Sequence, residues 1–103
     1  EYCASILSKN DFEQIEVTRS SGDQGIDIIA YSQGVKYGIQ CKFYSKPVGN
    51  KAVQEAFAGK QFYKCHVAIV LTNNKFTKSA IELADSLGVV LWDGGVLKEL
   101  EAR

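Results

Sequence analysis

Two strand-forming runs on either side of a tight turn restrict this chain's fold more than any other feature. Residues 22–31 read Gly-Asp-Gln-Gly-Ile-Asp-Ile-Ile-Ala-Tyr and residues 35–43 read Val-Lys-Tyr-Gly-Ile-Gln-Cys-Lys-Phe, with Gln33 and Gly34 between them. An Xaa-Gly pair between β-branched, alternating runs predicts a hairpin. An even loop centred there sets Asp27 directly across from Gln40. Opposed residues of an antiparallel pair share a face, with Cβ atoms about 4.5–5.5 Å apart. Lys42 lies two residues beyond Gln40 and so joins that face. The other face takes Ile26, Ile28, Ala30, Tyr37, Ile39 and Cys41, which is core material.

The remaining chain reads as helices and strands in a consistent order. Residues 1–9 form the end of an amphipathic helix, with Tyr2, Cys3, Ile6 and Leu7 on one side. Residues 12–19 alternate weakly through Ile15 and Val17 and predict a first strand. Residues 20–25 are a Ser, Gly and Asp loop. Asn50 is the expected N-cap of a helix running to about Lys64. Its stripe is Val53, Ala56, Phe57 and Tyr63, and Lys51, Gln54, Glu55 and Lys60 fall largely away from it. His66 to Thr72 is an unbroken apolar run, as in a buried parallel strand. Thr77 caps a helix to Leu87, with Ala80, Ile81, Ala84 and Leu87 inward and Gly88 as its stop. Val89 to Trp92 is a short strand, and Asp93 with two glycines leads into a closing helix that buries Val96, Leu97 and Leu100. The expected fold class is α/β: a mixed five-stranded sheet, an antiparallel meander followed by β-α-β crossovers, flanked by helices.

The length of 103 residues allows one domain with one core. The chain begins at Glu1 without a Met and is expected to be a fragment of a longer one, with residues 1–103 as its single domain. Cys3, Cys41 and Cys65 are odd in number and lack motif spacing, which predicts a reducing, cytoplasmic setting. The lone His66 has no paired Cys or His nearby, which argues against zinc. No apolar run is long enough to span a membrane. Net charge is zero, but its distribution is not even: residues 36–78 hold eight lysines against the single acid Glu55. The rest of the chain carries the matching acidic excess. Such asymmetry fits a basic face for phosphates, or, more plainly, solvated lysines on two helices.

The trio Asp27, Gln40 and Lys42 has a definite chemistry. Magnesium takes oxygen ligands and often uses only one or two carboxylates plus substrate phosphate. Asp27 offers a carboxylate, Gln40 a neutral carbonyl oxygen, and the backbone carbonyl of Cys41 lies in reach. An ammonium at Lys42 would polarise an attacking water and neutralise developing phosphate charge. The expected reaction is hydrolysis of a phosphodiester. The structural alternatives are a Lys42–Asp27 salt bridge, a satisfied core amide at Gln40, and an Asp27 that binds loop amides.

Asp27, twelve residues, then Gln40-Cys-Lys42 resembles the Mrr-type branch of the PD-(D/E)xK nucleases, which often carries Gln where most relatives carry an acid. Residues 21–27, residues 40–44 with Pro47, Val48 and Gly49, residues 72–80 and residues 90–94 are similar to further parts of that domain. The resemblance covers nearly the whole chain. It implies a restriction-endonuclease-like fold and a metal-dependent DNA endonuclease. Asp27 and Gln40 would bind Mg2+, or Mn2+ in its place, and Lys42 would be the catalytic lysine. The family's helix-borne Glu falls near Glu1. Lys46, Lys51, Tyr44 and Gln54 are the expected DNA contacts. Cutting both strands needs two sites, so a homodimer is expected. The competing reading is a catalytically silent DNA-binding module of the same fold, motivated by the charge that Gln40 removes.

Overall fold

In the computed structural model, residues 2–18 and 25–103 are described. The turn pair decides the architecture. Gln33 and Gly34 both adopt positive φ, 51° and 80°. That is the demand of the mirror-image turn whose twist matches the flanking strands. It joins β2 (Ile28–Ser32) to β3 (Val35–Lys42) in the expected register, from Ser32 opposite Val35 to Ile28 opposite Ile39.

The remaining elements are α1 (Tyr2–Ser8), β1 (Glu13–Val17), α2 (Asn50–Tyr63), β4 (Val67–Thr72), α3 (Lys78–Leu87), β5 (Val90–Trp92) and α4 (Gly94–Glu101). The strands form one sheet in the order β1-β2-β3-β4-β5. β1 and β2 pair antiparallel, with a register shift between Glu13 and Glu16 where Gln14 takes a positive φ of 53°. Such a bulge twists an edge strand locally. β3, β4 and β5 run parallel, from Tyr37 beside Val67 to Lys42 beside Thr72 and on to Leu71 beside Trp92. The mixed five-stranded sheet expected from the sequence is the one present.

Alternation along β4 sorts the core into two layers. Ile69 and Leu71 join Cys3, Ile6 and Leu7 of α1 and Leu97 and Leu100 of α4 on one face. Ala68 and Val70 join Val53 and Ala56 of α2 and Ala80 and Ala84 of α3 on the other. Each helix thus buries one stripe against the sheet, and the sheet is covered on both sides. No helix among the described residues is long and apolar enough to cross a membrane.

Three expectations are corrected. Ile26 is fully buried but on the α2 face, because the strand begins only at Ile28 and its alternation does not extend back to Ile26. A Cβ on Gly38 would come within 3.0 Å of Ile26 Cδ1. Ile81 is exposed, since α3 needs only the small residues Ala80 and Ala84 to seat closely. The N-cap of α2 is Gly49, not Asn50. Val48 is pinned by the Lys75 carbonyl and by Thr77 N–H, so the chain turns into the helix one residue early. Thr77 and Asp93 cap α3 and α4 as their side chains suggest, and Gly88 ends α3 with a φ of 74°. The glycine loop before Asp27 lies outside the described residues except for Gly25.

Candidate active site

β3 outruns its antiparallel partner. β2 begins at Ile28, opposite Ile39, while β3 continues through Gln40, Cys41 and Lys42 with only β4 alongside. The vacated edge is filled by a side chain. Asp27 donates its own N–H to the Ile39 carbonyl at 2.8 Å, and its carboxylate Oδ2 accepts from Cys41 N–H at 2.8 Å. The Asp27 carboxylate therefore stands where a strand carbonyl would have been. Thr18 braces the bend from the other side, its N–H donating to the Asp27 carbonyl and its hydroxyl to the Ile26 carbonyl.

Gln40 and Lys42 flank Cys41 and both reach toward α2. Gln40 Nε2 donates to Glu55 Oε1 at 3.0 Å, and Lys42 Nζ lies 3.3 Å from the same oxygen. Gln40 is only 3% exposed, and its Oε1 has no hydrogen-bond partner among the described residues. Buried polar groups nearly always have partners, so an orphaned amide oxygen beside a carboxylate needs a reason. Lys42 and Glu55 are each partly buried, 23% and 30% exposed. Burial works against the Lys42 ammonium. The neighbouring Tyr44 hydroxyl and the Glu55 carboxylate outweigh it and hold its pKa above the ordinary lysine value. The ammonium also sits 5.8 Å from the centre of the Tyr44 ring.

A cavity of about 180 Å³ opens here, lined in part by Lys42, Tyr44, Gly49, Lys51 and Glu55. The loop that carries Tyr44 is clamped by its backbone. Asn73 Oδ1 accepts from Tyr44 N–H, and Asn74 Nδ2 donates to the Tyr44 carbonyl. Gly94 N–H donates to the Asn74 carbonyl at 2.7 Å, which ties the start of α4 to the same corner.

The family model for the Mrr-type restriction endonuclease catalytic domain matches residues 1–100. The chain belongs to that family. Among curated proteins, this Mrr-type domain is similar to an uncharacterized protein of Archaeoglobus fulgidus, 30% identical over 96 residues, covering 85% of this chain and 55% of the other. It therefore spans about half the length of that relative. Among solved structures, it is similar to AF1548, a protein of unknown function, at a TM-score of 0.78 and 24% identity, covering 98% of this chain and 64% of that one. The DNA modification-dependent restriction endonuclease AspBHI gives a TM-score of 0.77 at 18% identity, covering 96% and 29%. The restriction endonuclease MspJI, in complex with a 27-mer oligonucleotide, gives 0.65 at 24%, covering 95% and 25%. These likenesses show a restriction-endonuclease-like fold. With the family, they support a nuclease role.

In this Mrr-type domain the structure brings Gln40 and Lys42 together at Glu55 and puts Asp27 on the backbone of Cys41 between them. Asp27 holds the Cys41 N–H, and the side chains on either side of Cys41 share one acceptor. Of the expected DNA contacts, Tyr44 and Lys51 line the cavity with Lys42, whereas Lys46 and Gln54 are exposed elsewhere on the surface. Glu1 lies outside the described residues. Among the described residues no group of three His, Cys, Asp or Glu side chains gathers to hold an ion.

Glu55 is the residue the sequence reading missed and placed facing away. The true buried stripe of α2 is Ala52, Val53, Ala56 and Gly59. Glu55 stands three residues after Ala52 and four before Gly59, so it borders that stripe. Two signals were available: Glu55 is the lone acid among eight lysines, and small residues surround it at helical spacing.

Proposed function

We propose that this domain is a divalent-metal-dependent DNA endonuclease that hydrolyses phosphodiester bonds, with Mg2+ as its natural ion and Mn2+ as a substitute. The observation that carries the reading is the buried Gln40 oxygen, without a partner among the described residues, on a strand whose next residue holds the Asp27 carboxylate through its N–H and whose Lys42 carries an ammonium. An apolar pocket would not need that oxygen, and a structural amide would have satisfied it. Carboxylate, amide and backbone oxygens are the ligand types that Mg2+ accepts. Asp27 and Gln40 would hold the ion, with the Cys41 carbonyl beside them on the strand edge already used by the Cys41 N–H. When bound, the ion supplies Lewis-acid stabilisation of the phosphate oxygens.

The chain's own residues supply the rest. Lys42 stays protonated and stabilises negative charge on the scissile phosphate and on the attacking water as it loses its proton to solvent. The water oxygen bonds to phosphorus and the opposite P–O bond breaks; the departing deoxyribose oxygen takes a proton from solvent and leaves as a hydroxyl, and the phosphate stays on the other fragment. Tyr44 and Lys51, on the cavity wall, hold neighbouring phosphates, while Lys46 and Gln54 extend that contact along the strand. Cleavage of both strands calls for two copies, one for each.

The test is plasmid nicking. Cutting with Mg2+ or Mn2+, none with EDTA, and none by Asp27→Ala or Lys42→Ala while both variants remain folded support the reading. Full activity in both variants overturns it. Salt-sensitive DNA binding without turnover in either ion would make the domain a silent binding module.

A further inference from the structure

We propose that Glu55 is the positioning carboxylate of this site: it turns the Gln40 amide so that Oε1 faces the ion, and it lends the negative charge that a glutamine cannot. This inference rests on the metal-dependent reading above.

The two ends of the Gln40 side chain are treated differently. The nitrogen donates to Glu55 Oε1 at 3.0 Å, and the oxygen is buried with no partner among the described residues. Rotating the amide by half a turn would set its oxygen against the Glu55 carboxylate, two acceptors without a proton between them. Glu55 therefore selects which end faces outward from α2. A carboxylate placed only to balance Lys42 would need no contact with Gln40. Here one oxygen serves both, at 3.0 Å and 3.3 Å.

Charge gives a second, separate argument. Asp27, Gln40 and Lys42 together are neutral at pH 7, a poor host for a divalent cation. Glu55 makes the cluster net negative without adding an acid to the strand itself. Oxygen-ligand cation sites gain affinity with ligand charge.

The fold also fixes where this carboxylate stands. Ala52, Ala56 and Gly59 let α2 approach the sheet closely. On the other side Gly25, with a φ of 70°, rests on α2 so tightly that any Cβ there would collide with the Glu55 carbonyl oxygen. The residue two before Asp27 thus abuts the backbone of Glu55, which fixes where on α2 the side chain starts. Helix-borne, backed on both sides, it acts on the ion through Gln40, as residues behind metal ligands commonly do.

Mn2+ affinity, read by electron paramagnetic resonance on the whole chain, tests the proposal without DNA. Glu55→Gln keeps size and polarity but removes the charge and the preference for the Gln40 nitrogen. Affinity is expected to fall by about tenfold or more. The exchange variant, Gln40→Glu with Glu55→Gln, preserves total charge and the hydrogen bond with donor and acceptor reversed. Its affinity is expected to return to within about threefold of the parent, as the restored charge and bond require. In the metal-free protein, the Gln40 side-chain amide resonances should shift and broaden in Glu55→Gln, a readout of orientation that serves even if its metal binding is too weak to measure. The proposal falls if Glu55→Gln binds Mn2+ like the parent, if the exchange variant binds no better than Glu55→Gln, or if the parent binds no Mn2+. Loss of nicking by the parent with these Mn2+ results intact would sink the nuclease reading alone.

Discussion

The two halves of β3 are built from the same kind of sequence but serve opposite ends. From Val35 to Ile39 the strand is paired on its β2 side, and Tyr37 onward is paired with β4 as well. Its side chains there pack a core in which Ile39 is fully buried. From Gln40 to Lys42 one neighbour is gone, and a carboxylate from Asp27 takes its place. Full pairing gives rigidity and nothing to react with. Half pairing leaves backbone and side-chain oxygens at an edge, anchored by the rigid half a few ångströms away. The proposed chemistry would stand where the ladder is incomplete, and its precision would come from where it is complete.

Substitutions in the two halves should separate activity from stability. The largest effect is expected from Lys42→Ala, which should lower nicking by about two to three orders of magnitude, the scale for losing one charge-stabilising group. Its melting temperature should move little, as partly exposed ion pairs contribute little. Ile39→Ala should do the reverse: a loss of about 2–5 kcal/mol in urea unfolding, with nicking per folded molecule unchanged. Activity lost in proportion to stability at both positions would erase the distinction. A smaller loss, about 1–3 kcal/mol, is expected from Gly38→Ala, because the new Cβ meets Cys65 Sγ at 2.9 Å and Ile26 Cδ1 at 3.0 Å.

The smallest effect concerns protonation. The Lys42 pKa is raised in the fold, so its contribution to stability is fully present below the unfolded lysine value, about 10.4. It is lost as pH rises through the higher folded value. Tyr44→Phe removes one of the groups that raise it, and the Lys42 pKa should move down in a carbon-13 titration of its side chain. Nicking near neutral pH should change only modestly, since the ammonium stays charged. An unmoved titration would show that Tyr44 does not contribute.

Much of this was legible in the sequence because hairpin register is local. One Xaa-Gly turn fixes which residues of two strands oppose each other, and Ile28 through Ser32 follow that rule. The rule stops at Asp27, where the backbone bends and its carboxylate substitutes for a carbonyl, and so Ile26 lands on the α2 face. Turn chemistry cannot signal such a departure, because its cause is tertiary. Glu55 was missed for a related reason. Apolar periodicity weights Phe57 and Tyr63 heavily and small residues lightly, yet Ala52, Ala56 and Gly59 decide how α2 is rotated. Close approach is a property of what is missing from a side chain, and hydropathy does not measure it.

The asparagine clamp at Tyr44 grips only main-chain atoms, one donor and one acceptor. The identity of the residue it holds is therefore left open, as is that of exposed Ser45 and Lys46 after it. Exchanging side chains along this short segment is expected to alter the proposed DNA contacts, while the anchoring bonds and the neighbouring strand keep their places.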